Sequence, residues 1–187
     1  VSDLAPGSRE LLVRLARASI EAHLAGHDRP PADPAPDGLD PELRENRGAF
    51  VTLRRRADGH LRGCVGRVES DESLVETVAR MAVAAATTDP RFPAVTLAEL
   101  PELQLEISAL SGALAILPED VVIGTHGLIV RFGDKSGLLL PQVAIEHRLD
   151  REAFLGWVCR KAGLPRDTWR DPACSLLGFT AVVFGEN

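Results

Sequence analysis

The chain contains no tyrosine, and aromatic residues make up only 4% of its 187 positions. A core so poor in rings has to be filled by Leu, Val, Ile and Ala, and a nucleic-acid surface built on stacking platforms is badly provided for. Cysteine is equally sparse. The three, Cys64, Cys159 and Cys174, include no pair at zinc or iron–sulfur spacing, and an odd count fits no disulfide framework. No apolar run reaches the ~18 residues that suggest a membrane span. The opening VSDLAPGSRE lacks the charged-then-apolar order of a secretory signal. Positive charge is in the minority, 21 Lys and Arg against 27 Asp and Glu, for a net charge of -6. That balance argues against a sequence-independent grip on DNA or RNA. The expectation is a soluble cytoplasmic protein with reduced thiols, no metal site and no membrane contact.

What is present is an ordinary share of apolar residues, 45%, arranged in readable patterns. Residues 8–26 carry Leu and Ala at helical spacing, with Ser8 as start and Gly26 as stop. The Pro- and Asp-rich DRPPADPAPDGLDPEL that follows is expected to be an irregular crossing. AFVTLRR and LRGCVGRV flank an Asp-Gly turn and read as a hairpin. SDESLVETVARMAVAAATT is the clearest helix, and ELQLEISAL alternates as a half-buried strand. HGLIVRF and GLLL make a second hairpin, PQVAIEHR a short helix, and Asp150 caps a longer one ending at Gly163. LLGFTAVVF closes the chain as one strand. Hairpins and helices without regular βαβ alternation predict an α+β fold, a mainly antiparallel sheet flanked by helices, in a single domain spanning 1–187.

Chemistry concentrates at LRGCVG, residues 61–66. Arg62 and Cys64 stand two apart in a strand, which places both on one face; a nearby guanidinium favours thiolate over thiol. Gly63 and Gly66 remove side chains beside the thiol, leaving room for a ligand or for another backbone. The alternative is a small core cysteine beside a surface arginine. His126, between glycines in GTHGLIV, is a candidate general acid–base. Glu106 and Ser108 lie on the polar face of their strand; should that face meet Cys64, Glu106 becomes a base or a partner for Arg62. Arg91, bracketed by prolines in DPRFP, could clamp an anion or pair with Asp89. Glu146 and His147 read as surface. A Cys64/His126/Glu106 metal set is arithmetically available, but the three come from distant strands.

LRGCVG resembles the L-R-G-C-[IV]-G signature of the AMMECR-one domain family. The likeness continues in order through GAFVTL (48–53), DPRFPAV (89–95), LEISALS (105–111), GTHGLIV (124–130), LLLPQVAIE (138–146) and DREAFLGWVCRKAGL (150–164). It implies an α+β fold with two unequal lobes and a groove near the LRGCVG strand. Arg62, Gly63, Cys64, Gly66, Arg91, Phe92, Glu106, His126, Pro141 and Glu146 fall on recurring positions of that family. Leu149 departs from it, where many members carry tryptophan. Members like this one are called protein A of the AmmeMemoRadiSam system, which implies a Memo-family protein and a radical SAM enzyme as partners; the cofactor is unknown. Two functions are consistent with this. One is a cysteine-dependent enzyme acting on a small anionic substrate or a modified nucleotide, with Cys64, His126 and Glu106 catalytic and Arg62, Gly63, Gly66 and Arg91 binding. The other is a non-catalytic module that presents a ligand to those partners.

Overall fold

The structure is a computed structural model that describes residues 4–27 and 40–186. Most of the Pro- and Asp-rich crossing therefore lies outside the described residues. Contacts divide the chain into two compact units, Ser2–Leu110 with Val182–Asn187, and Ser111–Ala181. The larger unit opens with α1 (Pro6–Leu24), β1 (Ala49–Arg55), β2 (Leu61–Arg67), α2 (Leu74–Thr87) and β3 (Leu103–Leu110). The smaller unit holds β4 (Leu114–Ala115), β5 (Gly127–Phe132), β6 (Lys135–Leu139), α3 (Pro141–Glu146), α4 (Arg151–Lys161) and β7 (Ser175–Phe179), before β8 (Ala181–Gly185) returns to the first sheet. The fold is α+β with two antiparallel sheets. No helix among the described residues is long and apolar enough to cross a membrane.

In the larger unit the strands lie in the order β2-β1-β3-β8. Alternation in β1 and β3 sends Val51, Leu53, Leu105 and Ile107 to one face, where all four are fully buried. The apolar stripes of α1 and α2 join the same core, with Leu12, Ile20, Leu74 and Val78 inaccessible to solvent. Each such side chain contributes about 1.5–3 kcal/mol on burial. The start of α2 is fixed by a capping box. Ser73 Oγ accepts from the Glu76 amide, and Glu76 accepts from the Ser73 amide at 3.0 Å. α1 begins at Pro6, whose fixed φ suits a first helical turn. Ser8 is thus inside the helix and is not its cap; its hydroxyl donates to Asp40.

Both glycines of LRGCVG have packing reasons. Gly63 faces Leu53 on the core side, and a Cβ there would lie 2.1 Å from the Ala85 carbonyl oxygen of α2. The helix backbone comes that close to the strand only because position 63 has no side chain. Gly66 faces Phe50, and a Cβ would lie 2.2 Å from the Phe50 ring.

The smaller unit carries the second sheet, ordered β4-β7-β5-β6. Leu128, Val130, Phe154 and Val158 anchor its core, and Leu149 packs against it. Asp150 caps α4 as the sequence suggests, accepting from the Ala153 amide at 2.8 Å. The terminal LLGFTAVVF is not one strand. It breaks at Thr180, so β7 joins the second sheet and β8 the first. At the break the Thr180 amide donates to Ser111 Oγ and the Ser111 amide to the Thr180 carbonyl, each at 2.9 Å. Beyond β8, the Glu186 carboxylate accepts from Arg17, from Arg56 at 2.8 Å and from the Leu105 amide at 3.2 Å, fastening the end of the chain to the first sheet.

Substituting Gly63→Ala should destabilise the protein by about 3 kcal/mol, since the obstructing atom is backbone and cannot rotate away. Urea unfolding checks this, with Gly7→Ala, where a Cβ meets nothing within 4 Å, as the control.

Candidate active site around Cys64

β2 is an edge strand, and Cys64 is at its middle. Antiparallel register pairs Cys64 with Thr52, and Thr52 on its other side with Glu106. The Cys64 amide is bonded away from β1, so Cys64 and Thr52 form a non-hydrogen-bonded pair, the kind that brings side chains closest. Accordingly Thr52 Oγ1 lies 3.3 Å from Cys64 Sγ and donates to it. The three residues form one row across β2, β1 and β3 on the face opposite the helices. Ladder spacings put the Cys64 and Glu106 backbones about 10 Å apart along that row. Glu106 also lines a cavity of about 210 Å³ together with Arg54, Gln104 and the terminal strand.

An edge strand presents unpaired amides and carbonyls, which need covering. Here the loop after α2 supplies the cover with side chains. Asp89 Oδ2 accepts the Cys64 amide at 2.8 Å, and Arg91 Nη2 approaches the Cys64 carbonyl at 3.4 Å. The same two side chains pair with each other, Nε to Oδ1 at 2.9 Å and Nη2 to Oδ2 at 2.7 Å. Asp89 is 5% exposed, and the Arg91 hydrogen bonds, aided by the Cys64 amide, hold its carboxyl far below the usual carboxylate range. The Arg91 guanidinium is raised in turn, chiefly by Asp89, with the Cys64 thiol a smaller contributor. Its side chain is 54% exposed, so it reaches solvent at the rim.

Arg62 is occupied elsewhere. The register slips beside it, Leu53 facing Gly63 and Arg54 facing Leu61, which makes Arg62 the extra residue of a bulge. Its guanidinium is bidentate on Glu99, at 2.6 and 3.0 Å, and donates to the Pro93 carbonyl at 2.9 Å. These bonds hold the Glu99 carboxyl below its usual range. Arg62 is buried, and the Phe92 ring centroid lies 6.0 Å from Arg62 Cζ and 5.5 Å from Arg91 Cζ. The guanidinium expected beside the thiol is therefore spent on tying the 93–99 segment to β2.

His126 belongs to the smaller unit. Its Nδ1 accepts the Val122 amide at 3.1 Å, leaving Nε2 to carry the proton of the neutral ring. Glu146 and His147 are exposed, as read from the sequence, with His147 packed on Trp157 at 4.8 Å between centroids. Among the described residues no group of three or more His, Cys, Asp and Glu side chains is placed to hold a metal ion. Cys159 is buried and Cys174 half-buried, and burial pushes both thiols up. Three participants went unrecognised in the sequence: Thr52, Glu99 and Asp89 as the clasp of the thiol's own backbone. The aspartate opening DPRFP was a visible signal, but only the strand order shows what it covers.

The chain matches the AMMECR1 family over residues 13–184. It is 42% identical to a protein of Methanopyrus kandleri over 95% of this chain and 87% of that one. A Thermococcus gammatolerans protein is 45% identical over 95% of this chain and 89% of its own length. The crystal structure of an uncharacterised protein from Pyrococcus horikoshii superposes with a TM-score of 0.80 at 42% identity, covering 96% of this chain and 91% of that one.

Asp89→Asn should lower stability by roughly 1–3 kcal/mol, since it removes the charge from a buried carboxylate that accepts from the Cys64 amide and from the half-exposed Arg91. The pH dependence follows from the depressed carboxyl. The unfolded chain takes up the Asp89 proton first, so this contribution is complete above ~pH 5 and is lost as pH falls through the unfolded and then the folded pKa. Chemical denaturation between pH 6 and 3 checks it: the wild-type should lose stability on acidification more steeply than Asp89→Asn.

Proposed function

The chain belongs to the AMMECR1 family, and on that footing we propose that the outer face of β1, β2 and β3 is a substrate surface on which Cys64 is the nucleophile. The row Cys64–Thr52–Glu106 carries this reading: a partly exposed thiol, a hydroxyl donating to its sulfur, and a glutamate whose backbone is about 10 Å along, beside a cavity. A small molecule lying across β1 meets all three groups. In this scheme Cys64 Sγ, oriented by the Thr52 hydroxyl, adds to a carbonyl-type carbon, its proton passing to solvent and the carbon–oxygen π pair to the oxygen, while Glu106 holds or moves a proton at the far end of the substrate. The exposed edge of Arg91 favours a substrate with an anionic group, a small metabolite or a modified nucleotide. Arg62, Gly63 and Gly66 act by shaping the strand that carries the thiol. His126 is the acid–base candidate of the smaller unit. Action alongside a Memo-family protein and a radical SAM enzyme rests on the family resemblance, and a cytoplasmic setting on the reading of the sequence.

A second reading has a specific observation in its favour. Arg62 and both glycines of the motif are accounted for by packing, which is what a non-catalytic ligand-presenting module with Cys64 as a snug small residue would show.

Alkylation of the folded protein by iodoacetamide, followed by peptide mass spectrometry, separates the two. The enzyme reading predicts that Cys64 reacts roughly tenfold or more faster than Cys159 and Cys174, and that Thr52→Val changes the rate at Cys64 alone. If Cys64 reacts only once the protein unfolds, the nucleophile role is lost and the binding-module reading stands.

A further inference from the structure

α1 and α2 leave a groove of about 750 Å³ between them, within the range of small-molecule sites. Ala79, Val83, Ala84 and Thr87 of α2 face Ser19 and His23 of α1 across it. Ser19 is only 2% exposed, and its Oγ has no hydrogen-bond partner among the described residues. A hydroxyl withdrawn from water and left unpaired is unfavourable, and folded proteins keep few of them unless something else completes the bond. Three of the charged groups at the rim have partners. Glu76 serves the capping box with Ser73, and Glu72 is ion-paired with Arg80. The groove therefore offers a largely apolar wall, one unpaired hydroxyl just beneath it and an imidazole at the end of α1, and its one arginine is paired with Glu72.

We propose that the α1/α2 groove is a binding site for an uncharged, largely hydrocarbon small molecule with one hydrogen-bonding end. That end meets Ser19 Oγ, and the hydrocarbon lies along Ala79, Val83 and Ala84. The site is independent of the Cys64 chemistry, which is on the opposite face of the sheet. It does sit close along the chain, since Thr88 lines the groove and Asp89 follows it.

The test is titration of the full chain with 1-octanol, followed by backbone amide shifts. The expected result is saturable shifts at Ser19, Ala79, Val83 and Ala84. Ser19→Ala should weaken binding roughly five- to tenfold, the worth of one hydrogen bond, without lowering the Tm, because the hydroxyl it deletes is unpaired. Ala84→Trp should fill the groove and abolish the shifts. Non-saturating shifts, or affinity unchanged in Ser19→Ala, would overturn the proposal. So would groove signals that respond to protein concentration and not to octanol, since a second copy would then be the occupant. Ser19→Ala is the conservative variant and decides the matter should Ala84→Trp fail to fold.

Discussion

The larger unit's first sheet ends at a strand that has to be stopped, and the means of stopping it is a carboxylate and a guanidinium two residues apart. Asp89 takes the outward amide of Cys64 and Arg91 approaches the outward carbonyl, so one side-chain pair does what a further strand would do for that residue. Burying the aspartate is tolerable because every proton aimed at it comes from Arg91 or from backbone. A strand in this position would continue the ladder along the whole edge. A clasp fixes one residue and leaves its side chain facing the other way, toward Thr52.

The remaining charged groups of the motif fall into place around that fixed point. Arg62 and Glu99 tie the same loop to β2 one step earlier, and the Phe92 ring is within cation–π range of both guanidinium groups. The Asp89 and Arg91 hydrogen bonds to the Cys64 backbone and the Arg62–Glu99 ion pair thus hold the 89–99 segment against the edge at both its ends. Gly63 lets α2, the helix that leads into this segment, lie directly on the strand. The result is a thiol whose backbone is immobilised by neighbours that do not contact its sulfur, a preorganisation that suits a reacting group.

Much of this could be read from the chain. The stripe of α2, the alternation of β3 and the Asp-Gly hairpin are local patterns, and the structure reproduces them because helix and strand periodicity act within a few residues. The same alternation correctly set Glu106 on the polar face of β3. What was not legible depends on strand order. Nothing local says that β2 is an edge, so the Cys64 amide gave no hint of needing Asp89, and Arg62 looked free to approach a sulfur on its own face. A bulge beside Arg62 is likewise a property of the pairing with β1 and leaves no mark in LRGCVG itself. LLGFTAVVF reads as one nearly continuous apolar run, yet its two halves belong to different sheets, because the break at Thr180 is made by a partner, Ser111, distant in sequence. Ser8 is a good cap residue by type, but Pro6 had already started the helix.

The clasp makes one amide the most informative atom in the protein. Hydrogen exchange at the Cys64 amide, followed by NMR in the native state, tests it directly. Held by a buried carboxylate, this edge-strand amide should exchange as slowly as the central ladder of β1 and β3, and should lose most of that protection in Asp89→Asn. Exchange at the rate of an uncovered edge in the wild-type protein would mean that the 89–91 loop does not grip the strand, and the account of a fixed thiol would fail with it.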